Sequence, residues 1–321
     1  MIRFILSLVF LWVIYPGDAY AQKVRTSYPG TAGVNVPFWL THEAGLFKKY
    51  GLDHEALLIS GSVTTMQALL AREIQFVNSS GAPAINARLQ GADITIVASY
   101  YDFMPYGLVV GKDIKSMEDL RGKRMAVASL GGINEAAIRF AFERQRLNSK
   151  DVTFIQAGGD PSRIAAVVSG SAAGTVLAPP GLFVATKQGL HMLADLGELG
   201  SKYPTSVIAT RRSSVNQDRP TIKKYLMALI EGLHVYKRDR KLAIDVLRKY
   251  AKISDQDLVT RSHDYLAKYT SLVPMVDPSV LKIAIPAGKG TDTPISDLYD
   301  NSVLQELVKE GFVEKVSKAA K

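Results

Sequence analysis

Four runs of serine or glycine stand at the starts of helical patterns, and the chemistry they offer is hydrogen bonding rather than covalent catalysis. They are Ser60-Gly61-Ser62 before VTTMQALL, Ser79-Ser80-Gly81 before APAINARL, Ser129-Leu130-Gly131-Gly132 before INEAAIRFAFERQ, and Gly158-Gly159-Asp160 before PSRIAAVV. A helix start presents backbone N–H groups without intrahelical partners and a partial positive charge, and glycine lets a ligand approach the peptide closely. Such turns suit a polar or anionic ligand. They equally suit a tight strand-to-helix connection with nothing bound, because serine is a favoured N-cap. Nucleotide fingerprints are absent: neither G-x-G-x-x-G nor G-x-x-x-x-G-K-S/T is spelt at Ser129–Gly132, and AGKG at 287–290 lacks the upstream glycine. HEAGLF from His42 lacks the second histidine of H-E-x-x-H, which leaves His42 a surface helix residue, and the remaining histidines show no ligand spacing. With no cysteine, no Ser-His-Asp ordering and no paired-carboxylate motif, neither a catalytic residue nor a metal or cofactor site is expected.

The elements that must carry these turns alternate. Strand-like runs at Lys23–Ser27, Glu55–Ile59, Ile74–Asn78 and Ile94–Ser99 are each followed by a loop and a helical pattern, the sign of a parallel sheet covered by helices. A second set follows, with strands at Met125–Ala128, Val152–Ile155, Gly174–Leu177 and His191–Ala194 and helices at Asn134–Arg146, Pro161–Ser169 and Gly181–Gln188. Two apolar runs, Tyr106–Lys112 and Ser206–Arg212, read as extended crossings between two α/β units. Beyond the second crossing the chain is almost wholly helical: Pro220–Tyr250, Asp255–Tyr269, Ser279–Ile285 and Asn301–Lys318. These helices must pack back on the two units.

The N-terminus has the pattern of a cleaved secretory signal: Arg3, an apolar run from Phe4 to Tyr15, a Pro16-Gly17 break, and Ala19 and Ala21 in an A-x-A arrangement. The apolar run is short for a bilayer core, which needs ~20 residues. Cleavage after Ala21 and a periplasmic location are expected. A lipid-modified cysteine anchor and disulfides are excluded by the absence of cysteine. Hydrophobic content of 47% with 21% charged residues is that of a globular chain. The formal charge of +9 suits steering of anionic ligands, contact with an anionic membrane surface, or simply solvated helix faces such as KRDRK at 237–241. No basic stripe interleaved with aromatics appears, so nucleic acid is not an expected partner.

The stretch VPFWLTHEAGLFKKYGLDHEALLISGSVTTMQALLAREIQFVNSSGAPAINARLQGADITIVAS resembles the opening lobe of periplasmic substrate-binding proteins of the nitrate/sulfonate/taurine type of ABC importer, a group that includes the thiamine-pyrimidine binders. DIKSMEDLRGKRMAVASLGG is similar to that family's second-lobe opening, and LYDNSVLQELVKEGF to its closing helix. One departure lies in VVSGSAAG, where many relatives carry an acidic residue near Ala172. The resemblance implies an α/β, two-lobed periplasmic-binding-protein fold (type II), each lobe a mostly parallel sheet flanked by helices. Its domains would be a signal at 1–21, lobe 1 at 22–107 and 207–321, and lobe 2 at 108–206.

The implied function is capture of a small polar or anionic organic molecule (sulfonate, nitrate, taurine or pyrimidine-like) between the lobes and its delivery to a membrane permease, by a monomer. An enzyme on the same fold acting on a small heterocycle, and a periplasmic sensor partner, are the alternatives. Ligands of open parallel sheets sit beyond the carboxyl ends of the strands. The cleft so defined draws Tyr28, Gly30, Thr31, Asn35, Trp39, Ser60, Gly61, Ser62, Ser79, Ser80, Gly81, Tyr100, Tyr101 and Asp102 from lobe 1. Ser129, Gly131, Gly132, Asn134, Gly158, Gly159, Asp160, Pro179 and Pro180 come from lobe 2. The adjacent rings of Tyr100 and Tyr101 suit a planar or zwitterionic ligand, whereas Asp102 and Asp160 equally suit holding backbone amides in their turns. Trp39 has two open readings, cleft lining or burial against the lobe 1 sheet.

Overall fold

The computed structural model describes residues 22–286 and 293–319. The signal-like segment, its Trp12, and AGKG at 287–290 lie outside these residues. Among the described residues ten strands form two five-stranded sheets. The strands are β1 Gln22–Tyr28, β2 Leu52–Leu58, β3 Phe76–Ser79, β4 Thr95–Phe103, β5 Gly107–Val110, β6 Arg124–Val127, β7 Thr153–Gln156, β8 Gly174–Leu177, β9 His191–Asp195 and β10 Lys202–Thr210. The first sheet runs β2-β1-β3-β10-β4 and the second β7-β6-β8-β5-β9.

Each sheet is parallel apart from one strand. In the first, β2, β1 and β3 pair in parallel, and β10 pairs antiparallel with both β3 and β4. In the second, β7, β6 and β8 are parallel, and β5 pairs antiparallel with β8 and β9. The antiparallel member is in each case the strand that has just arrived from the other sheet. Central strands β3, β5 and β8 are short and buried on both faces, as expected where helices cover a sheet on both sides.

The crossings are therefore Met104–Tyr106 on the way out and the segment after Asp195 on the way back. The return strand begins earlier than the run Ser206–Arg212 suggests, at Lys202. Pro204 disguises this beginning, since proline cannot donate to a ladder. It is tolerated because the register with β4 is irregular between Lys202 and Ser206, so no N–H is needed there.

The helical tail is broken where backbone geometry demands it. The stretch from Pro220 splits at Asp239 into Arg219–Arg238 and Arg240–Ala251, and the Asp239 side chain accepts from Leu242 N at 2.9 Å to cap the second helix. The last helix likewise divides at Gly311, whose φ of 73° lies in the left-handed region. The main core spans the first sheet, its helices and part of the second lobe, and a smaller cluster including Val109, Ile164, Val167, Leu177 and Leu182 fills the rest of that lobe. Among the described residues no helix is long and apolar enough to cross a membrane.

Candidate functional site

Residues at or just beyond the carboxyl ends of β1, β3, β6 and β8 meet Thr205 and Ser206 of β10 around one point between the two sheets. Around this point lies a cavity of about 60 Å³. Four helices begin at its wall: Ser62–Leu70, Gly81–Leu89, Ile133–Arg144 and Asp160–Val168. None has a side-chain N-cap hydrogen bond, so their leading N–H groups are left for other partners.

Of the residues expected in the cleft, Gly30, Asn35, Gly61, Ser62, Ser79 and Ser80 line the cavity from the first lobe, and Ser129, Asn134, Gly159 and Asp160 from the second. The lobes nearly touch: a Cβ on Gly61 would lie 3.0 Å from Ser129 Cβ. Gly61 also has a φ of 90°, which an L side chain rarely adopts. Asn35 holds the first-lobe loop by donating to Gly30 O (2.9 Å) and Ala32 O (3.2 Å), and its Oδ1 accepts from Asn78 Nδ2 at 3.0 Å. Asn134 does the same for the second lobe, accepting from Ala128 N at 3.1 Å. Ser79 and Ser80 are 3% and 2% exposed, and neither hydroxyl has a hydrogen-bond partner. A buried hydroxyl without a partner is costly, and these two adjacent ones border the cavity.

Other expected residues do not line this cavity. Trp39 is fully buried, its ring stacked on Tyr250 with centroids 4.6 Å apart and planes 11° apart. It is a core residue because the helix Val36–Glu43 is wedged between the first sheet and the helices after Pro220, and Tyr28 packs edge-on against it. Tyr100 and Tyr101 are also fully buried. Tyr100 OH donates to Asn78 Oδ1 at 2.5 Å, and Tyr101 OH donates to Leu266 O at 3.2 Å while accepting from Thr270 Oγ1 at 2.7 Å. Burial raises both phenols above their ordinary range. Tyr100 thus supports the wall through Asn78 and Asn35 rather than forming it.

Asp102 lies in strand β4 rather than in a turn; it accepts from Ser99 Oγ of the same strand, and burial raises its carboxyl. Ser60 is exposed, and Gly81 is packed against Pro204, 2.9 Å from a would-be Cβ. Gly131 and Gly132 face a separate groove. Gly131 N is already taken by Glu135 Oε2 at 2.9 Å. Thr31 and Pro180 line an adjoining groove, Pro179 offers its carbonyl to Gly33 N at 2.9 Å, and Gly158 offers its own to Arg163 Nε at 3.2 Å.

Four polar lining residues were not expected: Tyr106, Arg163, Thr205 and Ser206. Arg163 is buried, bonding Thr175 Oγ1 at 3.0 Å, Val176 O, Gly158 O at 3.2 Å and the carboxylate of Asp160. This pair makes the cavity nearly neutral. Burial, and then the charge of Asp160, raise the Tyr106 phenol, so it stays a neutral hydrogen-bonding group. No cluster of three metal-ligating side chains occurs among the described residues.

The chain as a whole has parallels in known proteins. A protein of Brucella abortus (strain 2308), provisionally named as a binding protein, is 24% identical over 269 residues, covering 80% of each chain. The nitrate-binding protein NrtA from Synechocystis PCC 6803 superposes with a TM-score of 0.75 at 16% identity, covering 90% of this chain and 89% of that one. The alkanesulfonate-binding protein SsuA from Xanthomonas axonopodis pv. citri, bound to MOPS, gives 0.70 at 17% identity over 82% and 89%. These likenesses show the two-lobed periplasmic-binding-protein fold. The profile described as NMT1/THI5 like matches residues 34–240, from the first-lobe wall at Val34 through both sheets and the return strand, and on that match the chain belongs to the NMT1/THI5-like family.

Proposed function

We propose that the protein is the extracytoplasmic solute-binding component of an ABC importer, which captures a small polar or anionic organic molecule between its lobes and hands it to a membrane permease. The observation that carries this reading is the pair of partnerless hydroxyls of Ser79 and Ser80, facing Ser129 and Asn134 of the other lobe across a cavity ringed by four helix starts. Such a ring favours hydrogen-bond acceptors and negative charge, and the one carboxylate in the wall, Asp160, is paired with Arg163. The relatives named for binding nitrate and alkanesulfonate support the same class. A ligand touching both walls stabilises the closed arrangement, because only contacts made there differ between the two states. The test is native mass spectrometry of the purified mature protein, followed by calorimetry with nitrate, sulfonates and carboxylates. Stoichiometric binding with the ligand recovered unchanged supports the reading. Turnover of the ligand would replace it with the enzyme alternative.

A further inference from the structure

The polar cavity is too small for most organic ligands. Organic-ligand pockets run to about 300–1,000 Å³, against about 60 Å³ here. A groove of about 470 Å³ adjoins it, and Asp160 lines both spaces. The chain also passes from one to the other at Gly30 and Thr31. Beyond Asp160 the groove is mostly apolar: Pro161, Ile164, Val168 and Val184 come from second-lobe helices, Ile253 follows the helix Arg240–Ala251 packed on the first lobe, and Gln188 and Lys252 are the polar residues at its margin. Val168 is 57% exposed there, an apolar side chain left facing solvent. The groove lined by Gly131 and Gly132 shares no lining residue with the cavity, and the Glu135–Arg139 ion pair lies in it.

Resting on the reading above, we propose that this groove is an annex of the cleft that holds the apolar part of the ligand. The ligand is then an amphiphile. A compact head with hydrogen-bond acceptors sits against Ser79 and Ser80, and an apolar chain or ring leaves past Asp160 between the two lobes. Because the annex has one wall from each lobe, the tail is gripped only on closure, so it adds to affinity for the closed state alone.

The experiment is calorimetric titration of the mature protein with straight-chain sulfonates and carboxylates of one to six carbons, repeated on Val168→Asp and Ile253→Asp. Neither residue is part of the polar cavity. Expected is binding of the one-carbon head, tightening by up to about fourfold for each added methylene that becomes buried, with this gain lost in both variants and the one-carbon affinity kept. Binding of the head with no dependence on chain length, or a dependence unchanged in both variants, overturns the annex and leaves the proposed function standing. Failure of every member of both series to bind overturns the anionic-head reading and the annex with it.

Discussion

The backbone N–H of Gly33 donates to the carbonyl oxygen of Pro179 at 2.9 Å, tying a first-lobe loop to the wall of the second lobe. A Cβ on Gly33 would stand 2.7 Å from that oxygen and 2.5 Å from Leu266 Cδ1. The leucine can move, but the carbonyl can retreat only if the lobes part. Gly33→Ala should therefore bias the protein toward an open arrangement and weaken ligand binding by about tenfold, since apparent affinity scales with the population able to close. Small-angle scattering checks it: the wild type should compact at saturating ligand and the variant much less.

Trp39 should report on the core and be silent about the ligand. Stacked on Tyr250 and screened from water, it should emit in the blue, and a titration that shows binding by calorimetry should leave the emission unmoved. Trp39→Ala should cost about 3–5 kcal/mol, as large-to-small core substitutions of this kind do. Urea unfolding of the two proteins, wild type and variant, gives the comparison.

Arg163→Met should destabilise more than Asp160→Asn. Removing the guanidinium leaves the partly buried Asp160 carboxylate without its partner and also unties Thr175, Val176 and Gly158, whereas Asp160→Asn keeps a hydrogen-bonding group beside Arg163. Breaking a buried pair from one side typically costs about 3–5 kcal/mol. Denaturant midpoints rank the two variants, and equal midpoints would show that the pair contributes little beyond its packing.

Acid should weaken the fold through His54. Its Nδ1 is 3.0 Å from His42 Nδ1, its Nε2 is 2.9 Å from Thr26 Oγ1, and its ring stacks on Phe47 at 3.8 Å. Burial, and then the charge of His42, bring it down to about 3, and burial lowers His42 as well. The unfolded imidazole takes its proton near pH 6.5. Between these values the unfolded chain binds more protons, so stability present above about 6.5 is lost as pH falls toward 3. The unfolding midpoint should drop from pH 7 to pH 5, where most carboxylates remain ionised. In His54→Phe the slope should be shallower.

Much of the architecture is legible because short apolar runs end in Ser or Gly, and in a parallel sheet those ends converge on one edge. This places Ser62, Ser79, Ser80, Ser129 and Gly159 at the cavity. Three aromatic residues mislead for a common reason. Trp39, Tyr100 and Tyr101 adjoin loops in sequence, yet each is covered by the C-terminal helices, and the two phenols find internal partners in Asn78, Leu266 and Thr270. Arg163 is hidden by the opposite assumption: a basic residue on an amphipathic helix reads as solvated, whereas here it turns inward to meet Asp160 three residues earlier. Thr205 is missed because Pro204 conceals the beginning of β10, and Ser206 because it reads only as the start of a crossing strand. His42 reads as a surface residue because nothing local announces that β2 brings His54 against it.

The position of β10 between β3 and β4 also dictates an order of assembly. The second sheet uses only strands from Gly107 to Asp195, so it can close as soon as that stretch exists. The first sheet cannot. Its β4 has no neighbour until Lys202–Thr210 arrives, roughly a hundred residues later, and that long loop must be closed before the pairing yields any return. The inserted lobe should thus mature first, and the chain that opens the sequence should finish last. A truncated product ending before Lys202 would carry β3 and β4 with facing, unpaired edges, which are templates for association with other copies. Shortened forms of this protein should consequently aggregate, even though four of the five first-sheet strands and all five strands of the second sheet are present in them.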